Sequence, residues 1–137
     1  AGQTGAEEVA GTGPRTVLYC AADLVWASRI KATAEAVGVA ARPVRSAEML
    51  AARMADTRVG GLIVDLEAFE LGIALIGHLR SAGGPAAGAR VVAFGPHVEV
   101  DRLEAARRAG ADVVMTRGAF SGRLGEVLSG LASGGGT

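Results

Sequence analysis

The chain has 137 residues, half of them apolar and only 4% aromatic, so it can fold around a core of Ala, Val, Leu and Ile. Its 14 basic and 14 acidic side chains balance, which argues against a dedicated nucleic-acid-binding protein because such proteins carry a basic surplus. The single cysteine excludes an internal disulfide, and no apolar run approaches the ~20 residues of a membrane helix. We therefore expect a globular, cytoplasmic domain that contacts no membrane.

The two ends of the chain differ in composition from its middle. Residues 1–14 lack apolar periodicity and are predicted to be a flexible leader, and residues 133–137 are predicted to be a Gly-rich tail or the start of a linker. Between them, residues 15–132 are predicted to form one domain in which short apolar runs alternate with helical patterns.

The first half of this domain contains three predicted strands, each followed by a helical pattern. Residues 16–20 form the first apolar run and residues 39–44 a weaker one. Residues 61–64 form the third run, which ends at Asp65, and the glycine pair 60–61 is predicted to break the chain before it.

Two further strand–helix units follow. Their strands are predicted at residues 90–94 and 111–116. Asp101 and Glu104 have the spacing of a capping box at the start of the fourth helix, and Ser121 is expected to cap the last helix.

Five strand–helix units joined by short links predict an α/β fold with helices on both faces of a parallel sheet. The expected architecture is flavodoxin-like, a three-layer αβα arrangement with five parallel strands in the order 2-1-3-4-5. Asp65 would then lie at the C-terminal edge of the sheet, where such folds bind ligands. A carboxylate there can hold Mg²⁺ or accept a phosphoryl group.

Three features carry a resemblance to a known family. They are Asp23 after the first strand, Asp65 after the third, and residues 107–112 (RRAGAD) before the fifth. Across about residues 15–132 the chain resembles the receiver domain of two-component response regulators, the CheY-like family. The resemblance implies a signalling module that is not an enzyme and whose partner is a histidine kinase or another signalling protein.

The resemblance also implies a set of site residues. Asp65 matches the phospho-acceptor, and Asp23, Asp65 and the backbone carbonyl of Glu67 match the ligands of Mg²⁺. The second acid that the family carries after the first strand is replaced by Ala22.

Four other positions depart from the family pattern. Gly95 replaces a Ser or Thr, Arg117 replaces a Lys, Gly118 replaces a Pro, and Val114 replaces an aromatic residue. An arginine keeps the charge of the lysine but not its point-like ammonium group. The sequence therefore predicts an atypical receiver, or pseudo-receiver, that works mainly as a protein interaction module; the alternative is a receiver that accepts a phosphoryl group on Asp65.

Three alternatives concern single residues. Asp23 is equally suited to capping the first helix, and Asp65 could cap the next helix or pair with Arg117. Cys20 ends the first strand, at a position similar to the phosphocysteine of IIB components of sugar phosphotransferase systems. A buried thiol in the core is the competing interpretation.

A candidate docking face combines the fourth helix, the fifth strand and the fifth helix. Arg102 and Arg107 would lie on the fourth helix, with Arg123 and Glu126 on the fifth. Mixed charges can pair reciprocally across a two-fold axis, so this face predicts a weak homodimer or a docked partner protein.

Overall fold

The computed structural model describes residues 15–134, so the predicted leader at 1–14 and residues 135–137 of the predicted tail lie outside the described residues. Strands and helices alternate along the described chain. The strands are β1 (Thr16–Cys20), β2 (Ala41–Pro43), β3 (Val59–Asp65), β4 (Arg90–Gly95) and β5 (Val113–Thr116). The helices are α1 (Leu24–Ala36), α2 (Ala47–Asp56), α3 (Phe69–Ser81), α4 (Val100–Ala109) and α5 (Arg117–Ala132), with a short 3₁₀ turn at Pro85–Gly88.

The five strands form one parallel sheet in the order β2-β1-β3-β4-β5, which confirms the predicted flavodoxin-like topology. β2 is an edge strand of three residues, and Pro43 fits there because an edge position does not require every backbone N–H. Within residues 15–134, no helix is both long and apolar enough to cross a membrane.

Two apolar layers cover the sheet, one on each face. Helices α2, α3 and α4 pack on one face through side chains such as Leu50, Leu75 and Ala106. Helices α1 and α5 pack on the other through side chains such as Ile30 and Phe120. Each fully buried aliphatic or Phe side chain stabilises the fold by roughly 1.5–3 kcal/mol, so both layers contribute to the stability of the domain.

The glycine pair lies inside β3, and the prediction of a chain break before that strand is wrong. Gly60 and Gly61 are buried because α5 packs directly against them. A Cβ on Gly60 would overlap the carbonyl oxygen of Leu131, and one on Gly61 would lie 2.6 Å from the Leu131 Cδ2 atom. The pair therefore allows a close helix–strand approach.

Two predicted helix caps are also wrong. Helix α4 begins after Glu99 without a side-chain cap, so Asp101 and Glu104 lie inside it and form no capping box. Helix α5 begins five residues earlier than expected, because its cap is Thr116, whose hydroxyl accepts a hydrogen bond from the N–H of Ala119 at 3.2 Å. Ser121 lies within α5, where its side chain accepts a hydrogen bond from Arg29 of α1.

A single arginine joins three segments at the N-terminal edge of the sheet. The Arg80 guanidinium donates to the carbonyls of Ala87 and Gly110, at 2.9 and 2.7 Å, and to that of Ala89 at 2.5 Å. It also pairs with the Asp112 carboxylate at 2.6 Å. Arg80 therefore fixes the 3₁₀ turn and the α4–β5 connection against the end of α3.

Candidate functional site

Asp65 is the last residue of β3 and is fully buried. Its Oδ2 atom accepts a hydrogen bond from the N–H of Ala22 at 3.0 Å, and its Oδ1 atom accepts one from the N–H of Glu67 at 3.0 Å. A buried carboxylate is costly unless such donors compensate it. Asp65 therefore links the β1–α1 connection to the β3–α3 connection. It does not cap α3, whose N-cap is Ala68 without a side-chain hydrogen bond.

Asp23 is exposed and caps helix α1. Its Oδ1 atom accepts a hydrogen bond from the N–H of Trp26 at 2.9 Å, which confirms the capping interpretation. The preceding Ala22 contributes its N–H to Asp65 but has no carboxylate of its own. The backbone of the β1–α1 connection therefore contacts Asp65, whereas the Asp23 side chain caps α1.

The predicted magnesium ligands are already engaged. Mg²⁺ requires near-octahedral oxygen ligands and keeps several of its waters. Both oxygens of Asp65 accept hydrogen bonds in a buried position, and one oxygen of Asp23 caps a helix. Within residues 15–134, no cluster of three or more His, Cys, Asp or Glu side chains could hold a metal. These hydrogen bonds disfavour a Mg²⁺ ion without excluding it, and the site of Asp23, Asp65 and the Glu67 carbonyl stays a prediction.

Arg117, the first residue of α5, pairs with Glu67 and not with Asp65, so that alternative is wrong. The Nη2 atom of Arg117 lies 2.7 Å from the Oε2 atom of Glu67. The two side chains are 43% and 45% exposed, and pairs this exposed stabilise by only ~0–1 kcal/mol. The pair nonetheless places the arginine beside the β3–α3 connection.

Arg102 was expected on the docking face, but it turns toward the same connection. Its Nη1 atom donates to the carbonyl of Leu66 at 3.0 Å, and its guanidinium carbon lies 5.2 Å from the centre of the Phe69 ring. No sequence signal could have found this contact, because it joins residues 36 positions apart. Two arginines, one from α4 and one from α5, thus hold the residues that follow Asp65.

Solved structures with the same architecture identify the fold. The response regulator from Hahella chejuensis is 16% identical with a TM-score of 0.69, over 85% of this chain and 94% of that one. The chemotaxis response regulator CheY4 of Vibrio cholerae is 11% identical with a TM-score of 0.68, over 87% and 99%. The signal receiver domain of a histidine kinase from Syntrophus aciditrophicus is 20% identical with a TM-score of 0.66, over 85% and 91%. The chain has the receiver fold. No family model and no curated protein matches the sequence.

Gly95 ends β4, at the position where the receiver resemblance implies a hydroxyl. It is buried, and a Cβ added there would lie 3.2 Å from the Cβ of Leu66 and 3.8 Å from the Leu103 Cδ2 atom. Such a separation is shorter than most carbon–carbon contacts, so Leu66 would have to move to admit a serine or threonine. A side chain at Gly95 would therefore be tightly packed against Leu66.

Cys20 is a buried thiol in the core, which confirms that interpretation. Burial raises the pKa of the Cys20 thiol to about 11, and the nearby carboxylate of Asp65 adds to the rise. A nucleophilic thiol needs the opposite environment, because the thiolate is the reactive form. The surroundings of Cys20 therefore do not favour a phosphocysteine.

Four large aliphatic side chains are exposed near the starts of α1 and α4, at the C-terminal edge of the sheet. Leu24 and Val25 in the first turn of α1 are 78% and 74% exposed. Val98 and Val100, at the start of α4, are 70% and 59% exposed. Exposed apolar surface of this kind favours contact with another protein. The exposure of Leu24 and Val25 could not be predicted from the sequence, because both look like core residues by type.

Proposed function

We propose that this receiver-fold chain is a protein interaction module of two-component-type signal transduction. It acts in the cytoplasm, catalyses no reaction and binds its partner without being phosphorylated. The observation that carries the proposal is the state of Asp65, whose carboxylate is fully buried with each oxygen bonded to a backbone N–H.

A carboxylate that accepts a phosphoryl group must present an oxygen to the phosphorus atom of the donor. For Asp65 this requires opening a buried position, and its carboxylate is already stabilised by the N–H groups of Ala22 and Glu67. Charge-assisted hydrogen bonds of this type are worth roughly 1.5–3 kcal/mol each.

The contacts of Arg102 and Arg117 support a docking surface that keeps one conformation. Arg102 holds α4 to the carbonyl of Leu66, and Arg117 holds the start of α5 to Glu67. Both helices are thereby attached to the β3–α3 connection without a phosphoryl group. A ligand changes a conformation only through contacts that differ between two states, and these contacts already exist.

The face formed by α4, β5 and α5 is the proposed docking surface. Arg107, Arg123 and Glu126 are exposed on it, whereas Arg102 is engaged elsewhere. The partner is a signalling protein, such as a histidine kinase, or a second copy of this chain. Exposed ion pairs alone contribute little, so apolar contact must accompany them.

The alternative is a slow receiver that accepts a phosphoryl group on Asp65 from a histidine kinase. It is favoured by the position of Asp65 at the end of the central strand, directly beside the β1–α1 connection. Under this alternative the β1–α1 and β3–α3 connections must open together before transfer.

Incubation with acetyl phosphate and MgCl₂ distinguishes the two functions. We expect the intact mass of the protein, measured without acid, to show no added phosphoryl group, because Asp65 cannot reach the donor. A receiver domain of known phospho-acceptor activity provides the positive control. A phosphoryl adduct that forms on the wild type and is lost in Asp65→Asn would contradict the proposal and support the alternative.

A further inference from the structure

A groove of about 280 Å³ lies between the outer flank of α5 and the edge of the sheet. Val113 and Met115 of the edge strand β5 form its floor, and Val127 and Leu131 of α5 form its wall. These side chains are apolar, and those of Val113, Met115 and Val127 remain partly exposed. Among the described residues, no strand pairs with the outer edge of β5. The groove is therefore open to a side chain from outside the molecule.

The rim of the groove is charged. Arg90, Arg123 and Glu126 lie on it, and none of their side chains has a hydrogen bond or ion pair with another residue of 15–134. Two of these three charges are positive, and each guanidinium is a site for a carboxylate because its fork of donors matches carboxylate geometry. The net charge of these three unpaired side chains is positive and therefore favours an acidic ligand.

The two arginines lie toward opposite ends of the groove. The backbone of Arg90 and the side chain of Leu131 both lie beside Gly61, which places Arg90 at the Leu131 end. Arg123 precedes Leu131 by eight residues on α5, a rise of about 12 Å along a helix. An extended peptide advances about 3.3 Å per residue, so residues four apart span about 13 Å. In a helix, the same two residues would be only about 6 Å apart.

We propose that this groove binds an extended segment of a partner protein with the pattern acid–x–apolar–x–acid. In an extended chain the first, third and fifth side chains of this pattern point to the same side. The two carboxylates then reach Arg90 and Arg123, and the apolar side chain enters the groove between them. The inference rests on the proposed function, since it specifies the chemistry of the partner that the module binds.

Glu126 provides a test of whether the ligand of the groove is acidic. It lies on the same side of α5 as Arg123 and one turn further along, so its carboxylate repels the incoming acids. Replacing Glu126 by Gln should strengthen binding, whereas Arg123→Glu should weaken it roughly tenfold or more. Arg42→Glu makes the same charge change on the exposed opposite edge of the sheet and is the matched control.

The experiment is a titration of the ¹⁵N-labelled protein with an acetylated, amidated peptide of sequence SESLSES, followed by amide chemical shifts. We expect saturable shifts confined to β5 and residues 123–131, weaker binding in Arg123→Glu, stronger binding in Glu126→Gln, and no change in Arg42→Glu. The spectra themselves report whether each variant is folded. The peptide SKSLSKS, with lysines in place of the acids, should bind at least roughly tenfold more weakly.

Equal binding of both peptides, shifts located elsewhere, no shifts at all, or unaltered affinity in Arg123→Glu would overturn the proposal. The acetyl phosphate experiment on the same protein separates this result from the proposed function. A phosphoryl adduct on Asp65 together with peptide binding at the groove would overturn the proposed function alone. Absence of both would overturn the groove proposal alone.

Discussion

Replacing Gly60 by Ala is expected to destabilise the domain by about 3 kcal/mol or more. The new methyl group would overlap the carbonyl oxygen of Leu131 and lie 2.9 Å from the Cβ of Arg15. The first obstacle is backbone, which cannot rotate away as a side chain can. The C-terminal part of α5 must therefore move off the sheet, and the apolar layer that it shares with β3 opens. Urea denaturation followed by circular dichroism measures the loss.

The matched control is Gly122→Ala, a change of the same size in α5, the helix that packs on Gly60. Nothing lies within 4 Å of a Cβ at Gly122, so the substitution adds helix propensity without a clash. It should leave stability unchanged or raise it by roughly 0.5–1 kcal/mol. Equal free energies of unfolding for the two variants would show that α5 does not pack on Gly60 as described.

Arg80→Ala is expected to lower the free energy of unfolding by about 2–4 kcal/mol. The substitution removes the donors from the carbonyls of Ala87, Ala89 and Gly110 and from the Asp112 carboxylate. The side chain of Arg80 is only 25% exposed, so water replaces these hydrogen bonds incompletely.

Two further variants test the role of the Arg80 guanidinium. Arg80→Lys should recover only a minor part of the loss, because an ammonium group cannot reach several separate acceptors as a guanidinium does. Arg108→Ala removes an exposed arginine of α4 and should change stability by no more than about 0.5 kcal/mol. Loss of the same size in Arg108→Ala and Arg80→Ala would contradict the role given to Arg80.

The sequence predicted the fold because the fold depends on patterns that are local along the chain. The alternation of apolar runs and helical spacing was enough to place all five strands and their order. It also placed Asp65 at the end of β3, since the apolar run stops there. The same local patterns led to wrong predictions for Gly60 and Ser121. A glycine that allows a helix to pack closely looks like a glycine in a turn until the packing helix is known. A serine inside a helix likewise looks like a helix cap.

The contacts that shape the site could not be predicted from the sequence, because they are not local along the chain. The N–H of Ala22 that bonds Asp65, and the Arg102 side chain that reaches Leu66, are contacts between residues 43 and 36 positions apart. No periodicity encodes them. Likewise, the sequence showed that Gly95 lacks a hydroxyl, but not that Leu66 packs closely against this glycine.

We expect the receiver fold of this chain to stay in one state, with each oxygen of the buried Asp65 carboxylate bonded to a backbone N–H. Titration with Mg²⁺ and beryllofluoride, an acyl-phosphate mimic, tests this most directly when amide chemical shifts are recorded. We predict little or no change at Asp65, along β4 and β5, or in α4. Mg²⁺-dependent shifts that begin at Asp65 and extend to Val114 and α4 would contradict this expectation, because they would show that the mimic binds at Asp65 and that a conformational change follows.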